Sequence, residues 1–239
     1  MCGRYASSRD ARDLAAAFDV DLDGQEPPDE VLPPSWNVAP TDPVHAVLQR
    51  GDKRLLKVLR WGLVPSWSTS AKGAARLINA RQETVTSKPA FRAAYARRRC
   101  LLPADGYYEW QVDGGRKQPW FLTSRDGGPL AMAGLYEVWS PREDSDPAAR
   151  LWTCTVITTE AADDTGQIHD RTPLLVPPAD WSRWLDPTVE DPGPHLLVPA
   201  VSGALDAWPV GAAVGNVRNN GPELVEAVAL HTQSELGSV

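Results

Sequence analysis

Cys2 directly follows Met1 and precedes Gly3, so its backbone is flexible and unhindered. If Met1 is removed, Cys2 becomes a terminal residue with two nucleophiles on adjacent carbons, the α-amine and the thiol. The α-amine has a reference pKa of about 7.7–8.0, so a usable fraction of it is neutral at neutral pH. A neutral amine condenses with an aldehyde to a Schiff base, and the neighbouring thiol can then close a thiazolidine ring. Alternatively, Cys2 is a small buried residue behind a processed N-terminus.

Three further side chains have types suited to proton transfer or to holding a polar ligand. Glu109 stands between two aromatic residues, which fits either an exposed strand position or a buried acid with a raised pKa. His169 is one of four histidines, and the acid and arginine that follow it suggest an ordered loop. A lone histidine is also commonly structural. Asn79 has two donors and two acceptor lone pairs, so it can hold a sugar hydroxyl or cap a turn.

The composition is that of an ordinary globular protein of 239 residues, of which 42% are hydrophobic and 23% charged. No run of about 18 apolar residues occurs, so no membrane-spanning helix is expected, and the N-terminus lacks the apolar core of a signal peptide. Cys2, Cys100 and Cys154 are too scattered for a disulfide framework or a zinc site. We therefore expect a cytoplasmic protein with reduced thiols and with no metal, cofactor or membrane partner.

Charge is distributed unevenly along the chain. The net charge is −7, but residues 60–99 contain nine basic residues and one acid, a balance of +8 that leaves −15 elsewhere. Such segregation fits a phosphate-binding face on an acidic protein, or simply a solvated basic helix. Trp61 and Trp67 lie in the same stretch, and aromatic rings among cations suit single-stranded nucleic acid, because bases stack on the rings.

Short strand-like runs are predicted at 44–49, 55–63, 99–104, 107–112, 119–123, 130–139 and 151–158. Helices are predicted at 9–18, 89–99 and 178–185, the last with Asp180 as its cap. The segment 111–121 predicts a hairpin that turns at Asp113-Gly114-Gly115, and 223–230 fits either a helix or a strand.

The strands follow one another too closely for regular βαβ alternation. The predicted fold is therefore α+β: a single domain over 1–239, with a core of about 2–230. Its β core is expected to be largely antiparallel and barrel-like, with a few peripheral helices. Proline-rich loops are expected at 26–40, 140–150 and 186–194.

Several separated motifs, in order along nearly the whole chain, give it a specific resemblance. They are MCGRYA at 1–6, WNVAPT at 36–41, RWGLVPSW at 60–67, INARQET at 78–84, PAFRAAYARRRCLLPADGYYEW at 89–110, QPWF at 118–121, AGLYEVW at 133–139, IHDRTP at 168–173 and VGNVRNNGPEL at 214–224. In these motifs the chain resembles the SOS response-associated peptidase (SRAP) family, also called abasic-site processing proteins.

The resemblance implies an α+β SRAP fold and a monomer that binds single-stranded DNA containing abasic sites. Removal of Met1, by self-cleavage or by another enzyme, would expose Cys2. Cys2 would then form a thiazolidine crosslink with the ring-opened sugar aldehyde and shield the site. Carried over residue by residue, the resemblance implies that Cys2 is the nucleophile and that Asn79 positions the sugar. It also implies that Glu109 and His169 transfer protons.

The matching stretches also imply a set of DNA-binding residues, namely Arg4, Asn37, Pro40, Trp67, Arg81 and Arg171. Thr172 departs from the family pattern, which commonly has methionine there, so packing beneath His169 is expected to differ. Two alternatives stay open. One is a cysteine peptidase that uses Cys2 and His169 with Glu109 or Asn79. The other is a non-catalytic single-strand binder in which Cys2 is incidental.

Overall fold

The computed structural model describes residues 2–21, 31–141, 149–161, 166–197 and 203–230. Its strands are β1 (Tyr5–Ser7), β2 (Ser35–Val38), β3 (Pro43–Arg50), β4 (Lys53–Trp61), β5 (Asn79–Arg81), β6 (Arg99–Ala104), β7 (Gly106–Asp113), β8 (Arg116–Ser124), β9 (Leu130–Trp139), β10 (Leu151–Glu160), β11 (Arg171–Pro173) and β12 (Leu205–Pro209). Its α-helices are α1 (Ala11–Ala17), α2 (Gln82–Val85), α3 (Arg92–Arg97) and α4 (Trp181–Leu185). No helix within these ranges is long and apolar enough to cross a bilayer.

The first sheet has the strand order β12-β8-β7-β1-β2, and each pair in it is antiparallel. Its centre is the hairpin of β7 and β8, in which Asp113 pairs with Arg116. Gly114 and Gly115 form the two-residue turn at φ values of 53° and 80°, a left-handed backbone that glycine adopts readily. The predicted hairpin is confirmed, and it holds Glu109 in the interior of a long strand.

The second sheet has the order β11-β10-β4-β3-β6-β9, and β9 also pairs with β10. This last pairing closes five strands into a ring, which confirms the predicted barrel-like α+β fold. The ring is uneven, since β3 and β6 share only the pair Val47 and Leu101. Pairing is largely antiparallel, as expected, but β10 runs parallel to both β4 and β5.

Alternate residues of the ring strands pack into two apolar clusters. Leu101 and Leu135 belong to the cluster that includes residues of α1, α3 and α4, whereas Cys100 and Met132 belong to the one that contains Cys2. In that second cluster, Tyr5 of β1 meets Trp61 of β4 edge to face, with ring centroids 5.2 Å apart. The two sheets therefore share a packed core beside Cys2.

Three predicted boundaries are wrong. The helix at 89–99 shortens to α3, because Arg98 has φ −132° and ψ 60° and β6 begins at the next residue. The helix at 178–185 begins as a 3₁₀ turn, Pro178–Asp180, and Asp180 makes no capping hydrogen bond. The strand at 55–63 ends at Trp61, because Gly62 takes a φ of 128° against the backbone of Ala74.

The segment 223–230 is neither helix nor strand, since a 3₁₀ turn, Pro222–Val225, is followed by a single bridge from Ala227 to Val210. Further short 3₁₀ turns occur at Ala74–Arg76, Pro194–Leu197 and Ala212–Gly215. The sequence did not predict the short elements β1, β2, β5, β11, β12 and α2. Elements of three to five residues show too little periodicity to be recognised, and β2 lies inside a proline-rich stretch expected to be a loop.

Arg99, the last basic residue of the stretch 60–99, is buried and serves the fold. Its guanidinium donates to five carbonyls, those of Tyr95, Ala96, Trp184, Asp186 and Val189. These carbonyls lie at and beyond the C-terminal ends of α3 and α4, where a cation is favourable. One side chain therefore joins both helix ends to the start of β6.

We predict that Arg99→Met lowers the free energy of unfolding by more than about 3 kcal/mol, because several buried carbonyls lose their donor together. Urea denaturation measures the change. Arg97→Met is the matched control, since Arg97 is exposed and its partner Glu190 is exposed too. That variant should lose at most about 1 kcal/mol. Equal losses in the two variants would contradict the structural role of Arg99.

Candidate active site

The structure brings the four predicted catalytic residues together where the two sheets meet. Glu109 comes from β7 of the first sheet, and Cys2 lies just before β1. From the second sheet come Asn79, at the start of β5, and His169, two residues before β11. The Asn79 Nδ2 donates to the Cys2 carbonyl at 2.7 Å, and the His169 Nε2 lies 3.9 Å from the Glu109 Oε2.

Cys2 is fully buried in the chain that retains Met1. Burial raises the pKa of its thiol, and the nearby Glu109 charge raises it further. The thiol is therefore protonated at neutral pH, although the positive charge of the amino terminus acts in the opposite direction. In this environment the thiol is a poor first nucleophile, whereas an α-amine on the same residue needs only to lose one proton.

Glu109 is 3% exposed, so it is the buried acid and not an exposed strand residue. Burial raises the pKa of its carboxyl to about 7, and the positive charge of the amino terminus acts in the opposite direction. A group with a pKa near the ambient pH can both take up and release a proton. Glu109 is placed to do this beside the N-terminal residues.

His169 has two polar neighbours at the same ring nitrogen. Its Nδ1 accepts from the Arg171 backbone N–H at 2.9 Å and also lies 2.9 Å from the Asp170 Oδ1. Burial, followed by the charge of the amino terminus, lowers the pKa of the imidazole. The ring is thus mainly neutral at pH 7 with its hydrogen on Nε2, which faces Glu109. When protonated, it can donate from Nδ1 to Asp170 instead.

Asn79 is held by parallel pairing of β5 with β10, opposite Val156. Its amide N–H is committed to the Cys2 carbonyl, so Asn79 orients the residue that carries the thiol. Its Oδ1 is buried and has no hydrogen-bond partner among the described residues. A buried acceptor without a donor is costly, so a ligand hydroxyl or N–H that reached it would be bound well.

Arg4 and Asn37, both predicted to bind DNA, are engaged inside the protein. The Arg4 Nη1 donates to the Asn37 Oδ1 and to the Val214 carbonyl, both at 2.7 Å. The Asn37 Nδ2 donates to carbonyls of the segment 214–219. Together they fasten that segment to β1 and β2, and their contact with DNA stays a prediction.

Arg171 is similarly engaged. Its two terminal nitrogens contact the two carboxylate oxygens of Glu83 at 2.6 and 3.2 Å, and Nη2 also donates to the Thr158 carbonyl. The hydrogen bond from Arg171 lowers the pKa of Glu83. Arg171 thereby ties the His169 loop to α2. Sequence reasoning missed Glu83, although it is the one acid of the basic stretch.

Of the remaining predicted DNA-binding residues, two are exposed and one is half-buried. Trp67 is 61% exposed, with its indole N–H 3.5 Å from the Pro89 carbonyl; Arg81 is exposed and Pro40 is half-buried. Within the described ranges, five exposed basic side chains of the stretch 60–99 have no hydrogen-bond or ion-pair partner: Lys72, Arg76, Arg81, Lys88 and Arg92. Three others pair internally: Arg97 with Glu190, Arg98 with Glu137, and Arg99 with carbonyls.

Comparison with known proteins gives consistent matches over nearly the whole chain. A family model described as SOS response associated peptidase (SRAP) matches residues 1–217. Abasic site processing protein YoqW of Bacillus subtilis is 36% identical over 230 residues, covering 95% of this chain and 100% of that protein. Abasic site processing protein YedK of Escherichia coli is 35% identical over 234 residues, with the same two shares. A solved protein structure from Bacteroides thetaiotaomicron superimposes with a TM-score of 0.79 at 26% identity, covering 95% of this chain and 100% of that one.

The buried carboxyl of Glu109 should make stability depend on pH. Its pKa rises from 4.5 to about 7 on folding, so the folded state retains the proton and stability falls between these pH values. Glu109→Gln has nothing to ionise. We expect this variant to match the wild type near pH 4.5 and to exceed its unfolding free energy at pH 8, by up to about 3 kcal/mol. Urea denaturation across this pH range measures the difference.

Glu226→Gln serves as the control, because Glu226 is exposed. Its stability difference from the wild type should stay constant with pH. If Glu109→Gln also gave a constant difference, the carboxyl would titrate as an ordinary surface acid.

Proposed function

The chain belongs to the SOS response associated peptidase family, and from this premise we propose that it processes abasic sites in single-stranded DNA by forming a covalent crosslink through Cys2. The observation that carries the proposal is the arrangement around Cys2. Asn79 holds its carbonyl, Glu109 with a pKa near 7 lies beside it, and His169 faces Glu109. Two family relatives, YoqW and YedK, bear the name abasic site processing protein.

The proposed reaction begins once Met1 has been removed and Cys2 has a free α-amine. Glu109 takes the proton of the ammonium group, and the neutral amine attacks the aldehyde carbon of the ring-opened sugar. The carbinolamine accepts a proton from Glu109 at its hydroxyl and loses water, and the nitrogen then returns its proton to Glu109, which leaves a neutral imine. The thiol then adds across the C=N bond: sulfur bonds to carbon, and its proton passes to nitrogen. One water molecule is released for each thiazolidine formed.

His169 and Asn79 serve the sugar in this proposal. An abasic sugar is mostly a closed hemiacetal, so its ring oxygen must receive a proton as the ring opens. The His169 Nε2 faces Glu109. As an imidazolium, His169 can donate that proton from Nε2 and then take up the proton of the anomeric hydroxyl, which restores it. Such proton transfer typically contributes about 10²–10⁴-fold to a rate. The unpartnered Asn79 Oδ1 supplies an acceptor for a sugar hydroxyl.

Ring closure protects the DNA strand in this scheme. A Schiff base on the sugar permits β-elimination of the 3′ phosphate, which cuts the strand. Addition of the thiol removes the electrophilic imine before elimination. The protein would therefore shield the damaged site as well as react with it.

The DNA strand is proposed to lie along the exposed part of the basic stretch. Trp67 offers a stacking surface beside Lys88 and Pro89, and Arg81 extends from the end of the strand that begins with Asn79. Bases stack on such a ring without regard to sequence, while the cations follow the phosphates. An abasic site has no base to read, so sequence-independent binding suits this substrate.

The peptidase alternative is weakened by the site. A cysteine peptidase needs a thiolate activated by a neighbouring base. Burial and Glu109 instead raise the pKa of the Cys2 thiol. The histidine faces Glu109 through Nε2, and its Nδ1 accepts from the Arg171 backbone N–H.

Crosslinking tests the proposed function directly. Protein that intact-mass measurement shows to lack Met1 should react with abasic single-stranded DNA. The product should survive a denaturing gel, and its mass should be that of protein plus DNA less one water. A form that retains Met1 should give none, because its amine and thiol are on different residues. Cys2→Ser should give at most a labile adduct.

Cys154→Ala is the matched control, since Cys154 is also a free buried cysteine but is not terminal. It should crosslink like the wild type. Full crosslinking by the Met1-retaining form would exclude the thiazolidine. Cleavage of unrelated peptides by the wild type but not by Cys2→Ala would support the peptidase alternative. Abasic-specific retention by Cys2→Ala would support the non-catalytic binder.

The DNA face gives a separate prediction. Trp67→Ala should weaken binding to single-stranded DNA by about 1–3 kcal/mol, because a stacked base or sugar face is lost. Arg81→Ala should weaken binding to all sequences alike and reduce the salt slope by roughly 0.7. Fluorescence anisotropy at several salt concentrations measures both. Trp152→Ala, at an exposed tryptophan outside the basic stretch, is the control. If the affinity did not vary with salt, the DNA would have to bind outside the basic stretch.

A further inference from the structure

Three side chains of β7 meet one short segment of the chain in regular order. The Tyr107 hydroxyl lies 2.8 Å from the Thr172 Oγ1, the Glu109 Oε2 lies 3.9 Å from the His169 Nε2, and the Gln111 Nε2 lies 3.0 Å from the Gln167 carbonyl. Successive side chains of a strand alternate between faces, so residues 107, 109 and 111 share one face. Their partners follow in the opposite direction along the chain. The catalytic pair is the middle of three contacts.

We propose that Tyr107 and Gln111 are positioning residues of this site, which set the separation of Glu109 and His169 from either side. The inference rests on the proposed function, since it assigns these residues a role in its proton transfer. It adds Tyr107, Gln111 and Thr172 to the residues on which the reaction depends.

The middle contact is not itself a hydrogen bond. At 3.9 Å, the Glu109 and His169 atoms are too far apart for a hydrogen bond. The two outer contacts are hydrogen bonds. One connects β7 of the first sheet to β11 of the second, and the other connects β7 to the segment that leads into β11. Sugar atoms that exchange protons with both groups need this gap to be fixed, and the outer contacts fix it.

The Tyr107–Thr172 contact is the buried one. Tyr107 is 1% exposed and Thr172 is 6% exposed, so the contact lies away from water. The Tyr107 hydroxyl has Thr172 as its partner, whereas the Thr172 Oγ1 also lies 3.5 Å from the Pro173 carbonyl. Burial raises the pKa of the Tyr107 phenol, and the nearby Cys2 and Glu109 charges raise it further. A methionine at 172, common in the motif that this chain otherwise matches, has no hydroxyl to offer. This contact therefore depends on the departure at Thr172.

The Gln111 contact is oriented by a third residue. The Trp120 indole N–H donates to the Gln111 Oε1 at 3.1 Å, which turns the amide N–H toward the Gln167 carbonyl. Trp120 is also the strand partner of Glu109 across the hairpin. The amide thus has one arrangement that satisfies both neighbours.

Tyr107→Phe and Thr172→Val remove one hydroxyl each and keep the size of the side chain. With saturating abasic single-stranded DNA, the rate of crosslink formation should fall roughly 10- to 100-fold, as expected for a displacement of about 1 Å at a reacting pair. The DNA dissociation constant should stay unchanged. The pH at half-maximal rate should shift, and so should the His169 imidazole pKa, followed by NMR titration without DNA.

Tyr108→Phe is the matched control, since it removes a hydroxyl that donates to the Trp36 carbonyl on the opposite face of the same strand. It should leave the rate, its pH profile and the His169 titration unchanged. The double variant Tyr107→Phe/Thr172→Val leaves no unpaired hydroxyl, so it should recover stability yet stay slow. Gln111→Leu should slow the reaction through the other contact.

The inference would be overturned if the Tyr107 and Gln111 variants kept the rate, the pH profile and the His169 titration of the wild type. Recovery of the rate together with stability in the double variant would also overturn it, because the effect would then be one of folding alone. Failure of the wild type to crosslink would refute the proposed function, and the His169 titration would still test the positioning.

Discussion

Glu109 is a carboxylic acid held out of water on the inner face of β7, and burial brings its pKa to about 7. The rest of the site depends on this burial. A charged carboxylate at this buried position would have to be stabilised by cationic or hydrogen-bonding partners. A neutral carboxyl needs neighbours that accept or donate a proton. Cys2, Tyr107 and His169 all lie within its electrostatic reach. The second sheet is needed to enclose the acid, since the first sheet alone would leave the Glu109 face of β7 open.

Several basic residues hold segments of the fold together and are therefore engaged inside the protein. Arg4 fastens the segment 214–219, Arg171 ties the His169 loop to α2, and Arg99 joins the ends of α3 and α4. A guanidinium has five donors in a fixed plane, so it can satisfy many carbonyls where short elements end. A protein with short helices and short edge strands has many such ends. Other cations of the stretch 60–99 stay exposed, as does Trp67 of the same stretch.

The sequence predicted the long elements and the identity of the central residues, but not their partners. Runs such as 130–139 have enough β-forming residues to be recognised, whereas β5 and β11 have three residues each. Motifs pointed to Asn79 and Arg171, yet Asn79 binds the Cys2 carbonyl 77 positions away and Arg171 binds Glu83 across 88. Contacts at such separations arise from sheet pairing, which local patterns do not specify. The sequence likewise left open whether Glu109 is exposed or buried, because its burial depends on how the hairpin packs.

Burial of Cys2 orders the steps of the proposed reaction. A protonated thiol away from water does not compete with the amine for the aldehyde, so the amine reacts first. Once the imine forms, its carbon lies one bond from the amine nitrogen, and the thiol on the adjacent carbon attacks within the same residue. The effective concentration of such a neighbour offsets its weak ionisation. The product has no charged sulfur and no charged iminium, so an apolar site favours it over the protonated form of the open imine. The environment that hinders peptide cleavage by Cys2 therefore favours ring closure.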